Sequence, residues 1–325
     1  MKTGIGVALA LALALSLSGC FFGGTVMTGT YANAEAYHAG NFEYRAEDVK
    51  MLEVNWYCGG VTLKRTEGDT FRVTESGDGL SAEKALHWLL TDEVLRVEFC
   101  ASGYAARFSG QDKKLTVEIP EGLELEVTTT SAGIEAEIGK QRNVTLQTTS
   151  GTIEVNGATE TETLNLGTTS GAIHVEQLTA ESLTAETTSG SIRIQEVNAN
   201  ESVQLGSTSG GIRVGNLNAN GGTITAQSNS GGIRLDTVRT GTLTAGTTSG
   251  SVTVGLNECR NATVETTSGS VRVNLSQSLG ATVRASSTSG GFNGSGYRSE
   301  NGRYIWGDGA CSINLGTTSG SITVK

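Results

Sequence analysis

Four arginines recur at nearly regular intervals in a chain that is acidic overall. They are Arg193, Arg213, Arg234 and Arg272, and the chain has 23 Lys and Arg residues against 33 Asp and Glu residues. A guanidinium group binds carboxylates and phosphates through several N–H donors at once. If the fold stacks these arginines, they form either a solvated face, with Glu186 offsetting part of the charge, or a linear site for a repeating phosphate or carboxylate polymer.

Residues that could support catalysis or bind a metal are scattered. The three histidines, His38, His87 and His174, have neither the spacing of a zinc site nor that of a catalytic triad. A polysaccharide-cleaving β-helix needs clustered acids or a metal on one outer face, whereas the outward positions here are mostly Thr, Gly, Ser and Asn. We therefore predict no enzyme, no metal and no cofactor. The acidic charge also argues against nucleic acid as a partner.

The N-terminus has the features of an export signal. Lys2 precedes an apolar run from Gly4 to Leu17, which is short for a membrane span, and the run ends in Leu-Ser-Gly-Cys20. This ending resembles the bacterial lipobox, in which the peptide is cut before the cysteine and the cysteine is lipidated. The resemblance implies a signal peptide at 1–19, lipid at Cys20 and an outward-facing position on a bacterial membrane, with the lipid as the membrane contact.

Four further cysteines are candidates for disulfides in an exported chain. Cys58 and Cys100 each follow a strand of similar pattern, so we expect them at matching corners of adjacent coils. Cys259 and Cys311 lie two coils apart by sequence, or about 9.6 Å. That separation exceeds the usual ~4.4–6.8 Å between the Cα atoms of a disulfide, so only a bulged insertion would let them pair.

A Thr-Ser-Gly motif organises the part of the chain that carries the arginines. Its ten serines are Ser131, Ser150, Ser170, Ser189, Ser209, Ser230, Ser249, Ser268, Ser289 and Ser319. A repeat at a period of about 20 residues is typical of a solenoid. Within each repeat the apolar residues alternate with polar ones, as in half-buried strands, and the Ser-Gly pair marks a turn in which we expect a positive φ at Gly.

Stacked repeats turn each position into a column. Apolar columns run through Ile153, Ile173, Ile192, Ile212 and Ile233, through Val144, Leu164, Leu183, Val203 and Ile224, and through Ala158, Leu178, Val197, Leu217 and Val238. We therefore predict an all-β, single-stranded parallel β-solenoid, a three-sided β-helix of about 20 residues per coil. We expect a right-handed coil, because the hexapeptide period of left-handed ones is absent, and inward threonine hydroxyls that bond between coils.

The chain divides into four predicted segments. These are a signal peptide at 1–19, a lipidated flexible tether at 20–48, irregular β coils that close the N-terminal end at 49–128, and the regular solenoid at 129–325 with an insertion at 293–311. A short helix and a strand are both compatible with 81–92. Tyr304 and Trp306 lie in the insertion, either as a platform for a glycan or as a cap over the last coil, and we expect the cap.

The repeated Thr-Ser-Gly-x-Ile-x-Val, the Leu115–Pro120 strand and the closing Trp306–Gly309 turn resemble the bacterial β-strand-repeat family called "putative adhesins", a domain-of-unknown-function family. The resemblance covers about residues 50–325 and implies a cell-surface or envelope protein with no catalytic residues. The expected function is that of a non-catalytic, lipid-anchored adhesin or envelope-binding scaffold. The alternatives are a polysaccharide-acting β-helix enzyme and a sensor arm of an envelope-stress response. A cell-wall polymer, a glycan and a surface protein all remain open as the partner.

Overall fold

The computed structural model of the chain describes residues 26–27, 29–106 and 113–325. The predicted signal peptide and Cys20 lie outside these residues. No helix within the described ranges is long and apolar enough to cross a bilayer. Strands make up most of the described chain, and two short 3₁₀ helices occur at Ala34–Ala36 and Ala46–Asp48.

The strands fall into an N-terminal group, a regular group and a C-terminal group. The N-terminal strands are β1 (Val26–Met27), β2 (His38–Ala39), β3 (Phe42–Arg45), β4 (Met51–Trp56), β5 (Gly60–Arg65), β6 (Thr70–Gly77), β7 (His87–Thr91), β8 (Val94–Glu98), β9 (Ala105–Ala106) and β10 (Lys113–Ile119). The regular strands are β11 (Glu124–Thr129), β12 (Gly133–Glu137), β13 (Asn143–Thr148), β14 (Ile153–Thr168), β15 (Ile173–Thr187), β16 (Ile192–Ser207), β17 (Ile212–Asn218), β18 (Thr223–Ser228), β19 (Ile233–Arg239), β20 (Thr242–Thr247), β21 (Val252–Glu258), β22 (Asn261–Thr266) and β23 (Val271–Leu275). The C-terminal strands are β24 (Ala281–Ser287), β25 (Phe292–Gly294), β26 (Arg298–Glu300), β27 (Arg303–Trp306), β28 (Cys311–Thr317) and β29 (Ile322–Val324).

Strand β14 shows how one regular coil is built. Ile153 and Val155 are buried on the first side, which we call side B, and Leu164 and Leu166 are buried on a later side, which we call side A. Side C lies between them, and the Thr-Ser-Gly turn leads from side A of one coil to side B of the next. Strand β15 repeats β14 in parallel register, with Ile173 level with Ile153. The parallel β-solenoid is therefore confirmed, while its handedness stays a prediction.

The column predicted on side C is shifted by one residue in the first of its coils. Ala158 is exposed, and the buried Thr159 lies level with Leu178. The register of β14 against β15 is interrupted between Val155 and Ala158, and Gly157, within this interruption, has a φ of 69°. The extra residue reverses which side chain faces the core, so a simple count of alternating positions selected the wrong one.

The Thr-Ser-Gly turn is held by its own threonine and by close stacking of the coils. The buried Thr168 hydroxyl donates to the Gly151 carbonyl of the preceding coil and accepts the Gly171 N–H of its own turn, at 3.2 and 3.0 Å. The coil-to-coil hydroxyl contacts predicted from the sequence are therefore present. Gly171 is not among the described glycines with positive φ, so that expectation was wrong. Glycine is needed instead because a Cβ there would lie 1.7 Å from the Gly151 oxygen.

The N-terminal coils do not stack in chain order. Strands β4 and β5 pair directly with β11 and β12 of the regular solenoid, and β8 and β10, which follow β5 in the chain, lie outside them. Antiparallel strands then close the end, because β7 pairs with β8 and β6 pairs with β10. The predicted closure of this end by irregular coils thus takes the form of covered strand edges, which are otherwise prone to pairing with other chains.

The coils at the C-terminal end are also stacked out of chain order. Strands β28 and β29, the last in the chain, pair with β22 and β23 on one side and with β24 and β25 on the other. The final coil in the sequence therefore lies between two earlier coils, and the coil of β24 and β25 is outermost. The inserted segment forms the antiparallel pair β26–β27, and β27 covers the free edge of β24.

Part of the predicted flexible tether is packed against the N-terminal coils. Strand β3 pairs with β6, and the Phe42 ring stacks on Trp88 with 4.1 Å between ring centroids. Trp88 lies in β7, so the segment at 81–92 contains a strand, with turns at 82–84 before it. The tether prediction missed this because a four-residue strand among Gly and Ala residues leaves almost no periodic signal.

Candidate functional site

Three of the four predicted arginines lie side by side on the outer face of side B. Arg193 is level with Arg213, and Arg213 is level with Arg234, on three successive parallel coils. The flanking isoleucines Ile192 and Ile212 are buried, so the alternation of the strand directs the arginines into solvent. We call Arg193, Arg213 and Arg234 the arginine row. Its Cα atoms are about 4.8 Å apart, the spacing of paired strands.

The position of the arginine row continues in both directions with other residues. On the N-terminal side His174 and then Glu154 follow, and their side chains approach to 3.8 Å. On the C-terminal side Thr253 comes next and Arg272 lies beyond it. Because the final coil is stacked out of order, the neighbour of Arg272 on the side away from Thr253 is Thr323 rather than Asn293 of the following repeat. Positive charge is therefore concentrated on three coils, with Arg272 separated from them.

A groove runs beside the arginine row. It has a volume of about 450 Å³ and is lined by the row together with Gly211 and Gly232 and, at its ends, Ser191 and Ser251. The two glycines occupy the position just before the buried isoleucine. Neither has a side chain to fill the space between the arginine stems and the turn, so the groove has a backbone floor. We call this feature the arginine groove. The arginines could be predicted from the sequence, whereas the groove could not.

The charges of the arginine row are only partly balanced within the protein. Asp236 accepts from Nε of Arg234 at 2.6 Å, and its second carboxylate oxygen lies 3.5 Å from Arg213. Arg193 forms no salt bridge with any described residue. The counter-ion expected from the sequence, Glu186, lies on side A, where it accepts from the side chain of Gln204. The residue opposing the arginines is therefore Asp236, which lies two positions after Arg234 on the same face.

The predicted cysteine pairs have opposite outcomes. Cys259 and Cys311 form a disulfide with 5.7 Å between their Cα atoms. They are not two coils apart, because the out-of-order final coil places β28 next to β22. Cys58 and Cys100 are both buried, and the disulfide expected between them is not formed. The register of β4 against β8, continued past its last pair, brings Tyr57 rather than Cys58 level with Cys100.

Tyr304 and Trp306 of the insertion pack over the C-terminal end of the core. Tyr304 stacks on Phe292 with 3.8 Å between ring centroids, and Phe292 occupies the inward isoleucine column of the outermost coil. The indole N–H of Trp306 donates to the Ser295 carbonyl at 2.9 Å. Both side chains are half-buried, and the neighbouring Tyr297 is 36% exposed. This geometry is that of a cap, and Tyr297 is the ring in it with most access to solvent.

Two buried ionisable groups in the N-terminal coils had no signal in the sequence. Lys113 is fully buried and lies 2.8 Å from Glu75, while its ammonium donates to the backbone carbonyls of Lys84 and Phe99. Burial lowers the pKa of Lys113, and the contact with Glu75 opposes this shift. The Lys113 ammonium is therefore both paired and hydrogen-bonded within the protein, and removing either Lys113 or Glu75 would leave an uncompensated buried charge.

Glu98 is the second buried group. Burial raises the pKa of Glu98 to about 7, and the Asn55 amide, which donates to its carboxylate at 3.0 Å, opposes the shift. Its strand alternation would have assigned it to a surface position, but it is only 9% exposed. Within the described residues, no group of three or more His, Cys, Asp or Glu side chains is arranged to hold a metal ion.

Solved structures from two Parabacteroides species are similar to this chain. A "putative adhesin" from Parabacteroides distasonis is 10% identical, with a TM-score of 0.47, and the match covers 89% of this chain and 97% of that one. A "putative adhesin" from Parabacteroides merdae is 12% identical, with a TM-score of 0.45, and the match covers 89% and 96%. A "putative lipid binding protein" from Parabacteroides distasonis is 12% identical, with a TM-score of 0.43, and the match covers 89% and 97%.

The comparison with curated proteins gives no match. The comparison with protein families gives one that spans most of the chain: the family described as Toastrack DUF4097 matches residues 49–325. This range begins just before β4 and includes both ends at which the coils stack out of order. The chain belongs to the Toastrack DUF4097 family.

Proposed function

We propose that this chain is a non-catalytic bacterial surface protein whose arginine row binds an anionic polymer of the cell envelope. The observation that carries the proposal is the register of Arg193, Arg213 and Arg234 on successive coils beside a groove floored by backbone. A linear polymer with closely spaced phosphates or carboxylates can lie along the solenoid axis and contact all three guanidinium groups. A single small anion can use only one or two of them.

The charge balance supports a ligand of opposite sign. Like charges placed opposite each other in a sheet repel, and the described chain supplies one carboxylate, Asp236, to two members of the row and none to Arg193. The arginines are exposed, so each contact with a polymer is worth about 0.2–1 kcal/mol. Three contacts together amount to about 0.6–3 kcal/mol, or roughly a three- to 150-fold change in affinity, and salt weakens them because exposed charges are screened.

The proposal is tested by removing the three charges without shortening the side chains much. In the triple variant Arg193→Gln, Arg213→Gln, Arg234→Gln, we expect affinity for poly(glycerol phosphate) or polygalacturonate to fall at least about threefold at low salt. A matched control replaces three exposed arginines on other faces, Arg142, Arg239 and Arg284, by Gln. If both triple variants bind equally well, or if the wild type binds neither polymer, the arginine row is a solvated face.

The surface location rests on the lipobox-like Leu17–Cys20 run at the end of the apolar segment. We propose lipid at Cys20, since several acyl chains hold a protein on a membrane where a single chain does so only transiently. In a bacterial host, the Cys20→Ala variant should move from the membrane fraction to the soluble or secreted fraction. The variant Ser18→Ala keeps the cysteine and a small residue before it, so it serves as the control. A membrane-bound Cys20→Ala protein would refute the anchor.

A further inference from the structure

Asp236 is positioned to act on the arginine groove from within the protein. It lies two residues after Arg234 in β19, so both side chains point outward from the same face. Its carboxylate binds Nε of Arg234 at 2.6 Å and reaches Arg213 of the preceding coil at 3.5 Å. The Asp236 side chain is 32% exposed, against 56% for Arg234 and 62% for Arg213. It therefore lies closer to the sheet than the guanidinium groups that it contacts.

Neither neighbouring coil has a side chain at the position equivalent to Asp236. The residue two places after Arg213 is Gly215, and the residue two places after Thr253 is Gly255. Neither glycine has a side chain that could compete for the space or for the arginines. Gly255 also packs closely on the Asp236 backbone, because a Cβ on it would lie 2.1 Å from the Asp236 carbonyl oxygen. The carboxylate is thus held in a gap in its row, where it can contact arginines of two coils.

The contacts divide the arginine row into two parts. Arg213 and Arg234 face an internal anion, whereas Arg193 has no ionic partner among the described residues. An incoming anion meets an uncompensated charge at Arg193. Further along the groove it must share or take the N–H donors that Asp236 uses, and the Asp236 charge repels it at short range.

Resting on the proposed function, we propose that Asp236 is a built-in counter-anion that competes with the external polymer for Arg213 and Arg234 and so limits the affinity of the groove. The carboxylate keeps the guanidinium groups apart and oriented when the groove is empty. A polymer binds over the whole row only when it offers enough anions to replace it. Polymers that carry few anionic groups are thereby confined to the Arg193 end of the groove.

The test is a variant that should bind more tightly than the wild type. Asp236→Asn keeps the size of the side chain and removes its charge, and we expect affinity for poly(glycerol phosphate) at low salt to rise about threefold or more, with the gain shrinking as salt is added. Glu258→Gln is the matched control. It makes the same change in net charge and releases Arg239, which Glu258 contacts at 3.3 Å away from the groove, so its affinity should stay within about twofold of the wild type.

A second readout separates this inference from the proposed function. The Nε–H resonance of Arg234 can be followed by ¹⁵N NMR while inorganic pyrophosphate is added. We expect it to respond at lower pyrophosphate concentration in Asp236→Asn than in the wild type, whether or not the polymer binds. If the polymer binds the wild type but Asp236→Asn binds no tighter than Glu258→Gln, then Asp236 positions the arginines and the inference is overturned. If no polymer binds but the NMR shift is seen, only the proposed function fails. An unchanged NMR titration also overturns the inference.

Discussion

Two adjacent glycines, Gly210 and Gly211, should respond very differently to the same substitution. A Cβ on Gly210 would lie 1.6 Å from the carbonyl oxygen of Gly190 in the coil below. A Cβ on Gly211 would have its nearest contact at 3.2 Å, with the Gly232 oxygen of the next coil. The first distance is impossible without moving one coil away from the other, whereas the second needs only a few tenths of an ångström.

The size of the Gly210→Ala effect follows from what that movement breaks. The favourable separation of non-bonded heavy atoms is roughly 3.5 Å. The turn must therefore shift by nearly 2 Å to relieve the contact at 1.6 Å. Hydrogen bonds at risk include the Gly210 N–H to the Ser207 hydroxyl, at 2.8 Å, and the Ser228 hydroxyl to the Gly210 carbonyl, at 3.1 Å. Each contributes about 0.5–1.5 kcal/mol, and overpacking adds about 1–3 kcal/mol. We expect a loss of about 4 kcal/mol for Gly210→Ala.

Gly211→Ala should change stability by no more than about 1 kcal/mol, because the tight contact is offset by the lower entropy of the unfolded alanine chain. Thermal unfolding followed by circular dichroism measures both variants. At about 2–4 °C per kcal/mol for a chain of this size class, Gly210→Ala should melt roughly 10 °C below the wild type and Gly211→Ala within about 3 °C. Equal melting temperatures would show that close stacking at the turn is not what requires glycine there.

Three further predictions concern the two ends of the solenoid. Because burial raises the pKa of Glu98 to about 7 in the folded protein, the free energy of unfolding decreases as the pH rises from about 4.5 to 7. Glu98→Gln should therefore raise the melting temperature at pH 8 and leave it nearly unchanged at pH 4. Trp306→Ala should lower the melting temperature by several degrees by opening the cap, whereas Tyr297→Ala, at the exposed ring, should not; a lost glycan interaction at unchanged stability would favour the platform instead. Cys311→Ser, which removes the bond to Cys259, should destabilise the last coils by about 2–4 kcal/mol, seen as faster proteolysis of the C-terminal region.

The regular coils could be predicted because each repeat carries the same pattern. Ile173, Ile192 and Ile212 recur at the same point of the motif, and the structure pairs them in that register. The arginine row followed directly, since Arg193 and Arg213 are each the next residue after one of these isoleucines. Where neighbours in the chain are neighbours in the stack, counting along the sequence is enough.

The ends could not be predicted in this way. The strands β23, β25 and β29 present similar patterns, so the sequence does not state which of them lies next to which. In the structure β29 lies between β23 and β25, and β27 covers the edge of β24. The same limitation hid the proximity of Cys259 and Cys311. The disulfide expected between Cys58 and Cys100 was wrong for another reason, since the coils of β4 and β8 are adjacent but their register brings Tyr57 level with Cys100.

The features that modify the arginine groove were missed for a different reason. Asp236 lies two residues after an arginine, but its effect depends on the absence of side chains at Gly215 and Gly255 in other coils. Likewise, the groove floor arises because Gly211 and Gly232 are stacked. The arginines are found by comparing the side chains at equivalent positions of the repeats. The groove and its counter-anion would have been found by also comparing the positions at which glycine leaves no side chain.

The most direct test of the central claim is the salt dependence of polymer binding. The slope of log affinity for poly(glycerol phosphate) against log salt concentration reports how many ionic contacts form, at about 0.7–0.9 per neutralised charge on nucleic-acid polyanions. If Arg193, Arg213 and Arg234 all contact the polymer, the slope for their triple Gln variant should be shallower than that of the wild type by about 2–3. Equal slopes for the two proteins would contradict the claim that the polymer lies along the arginine row.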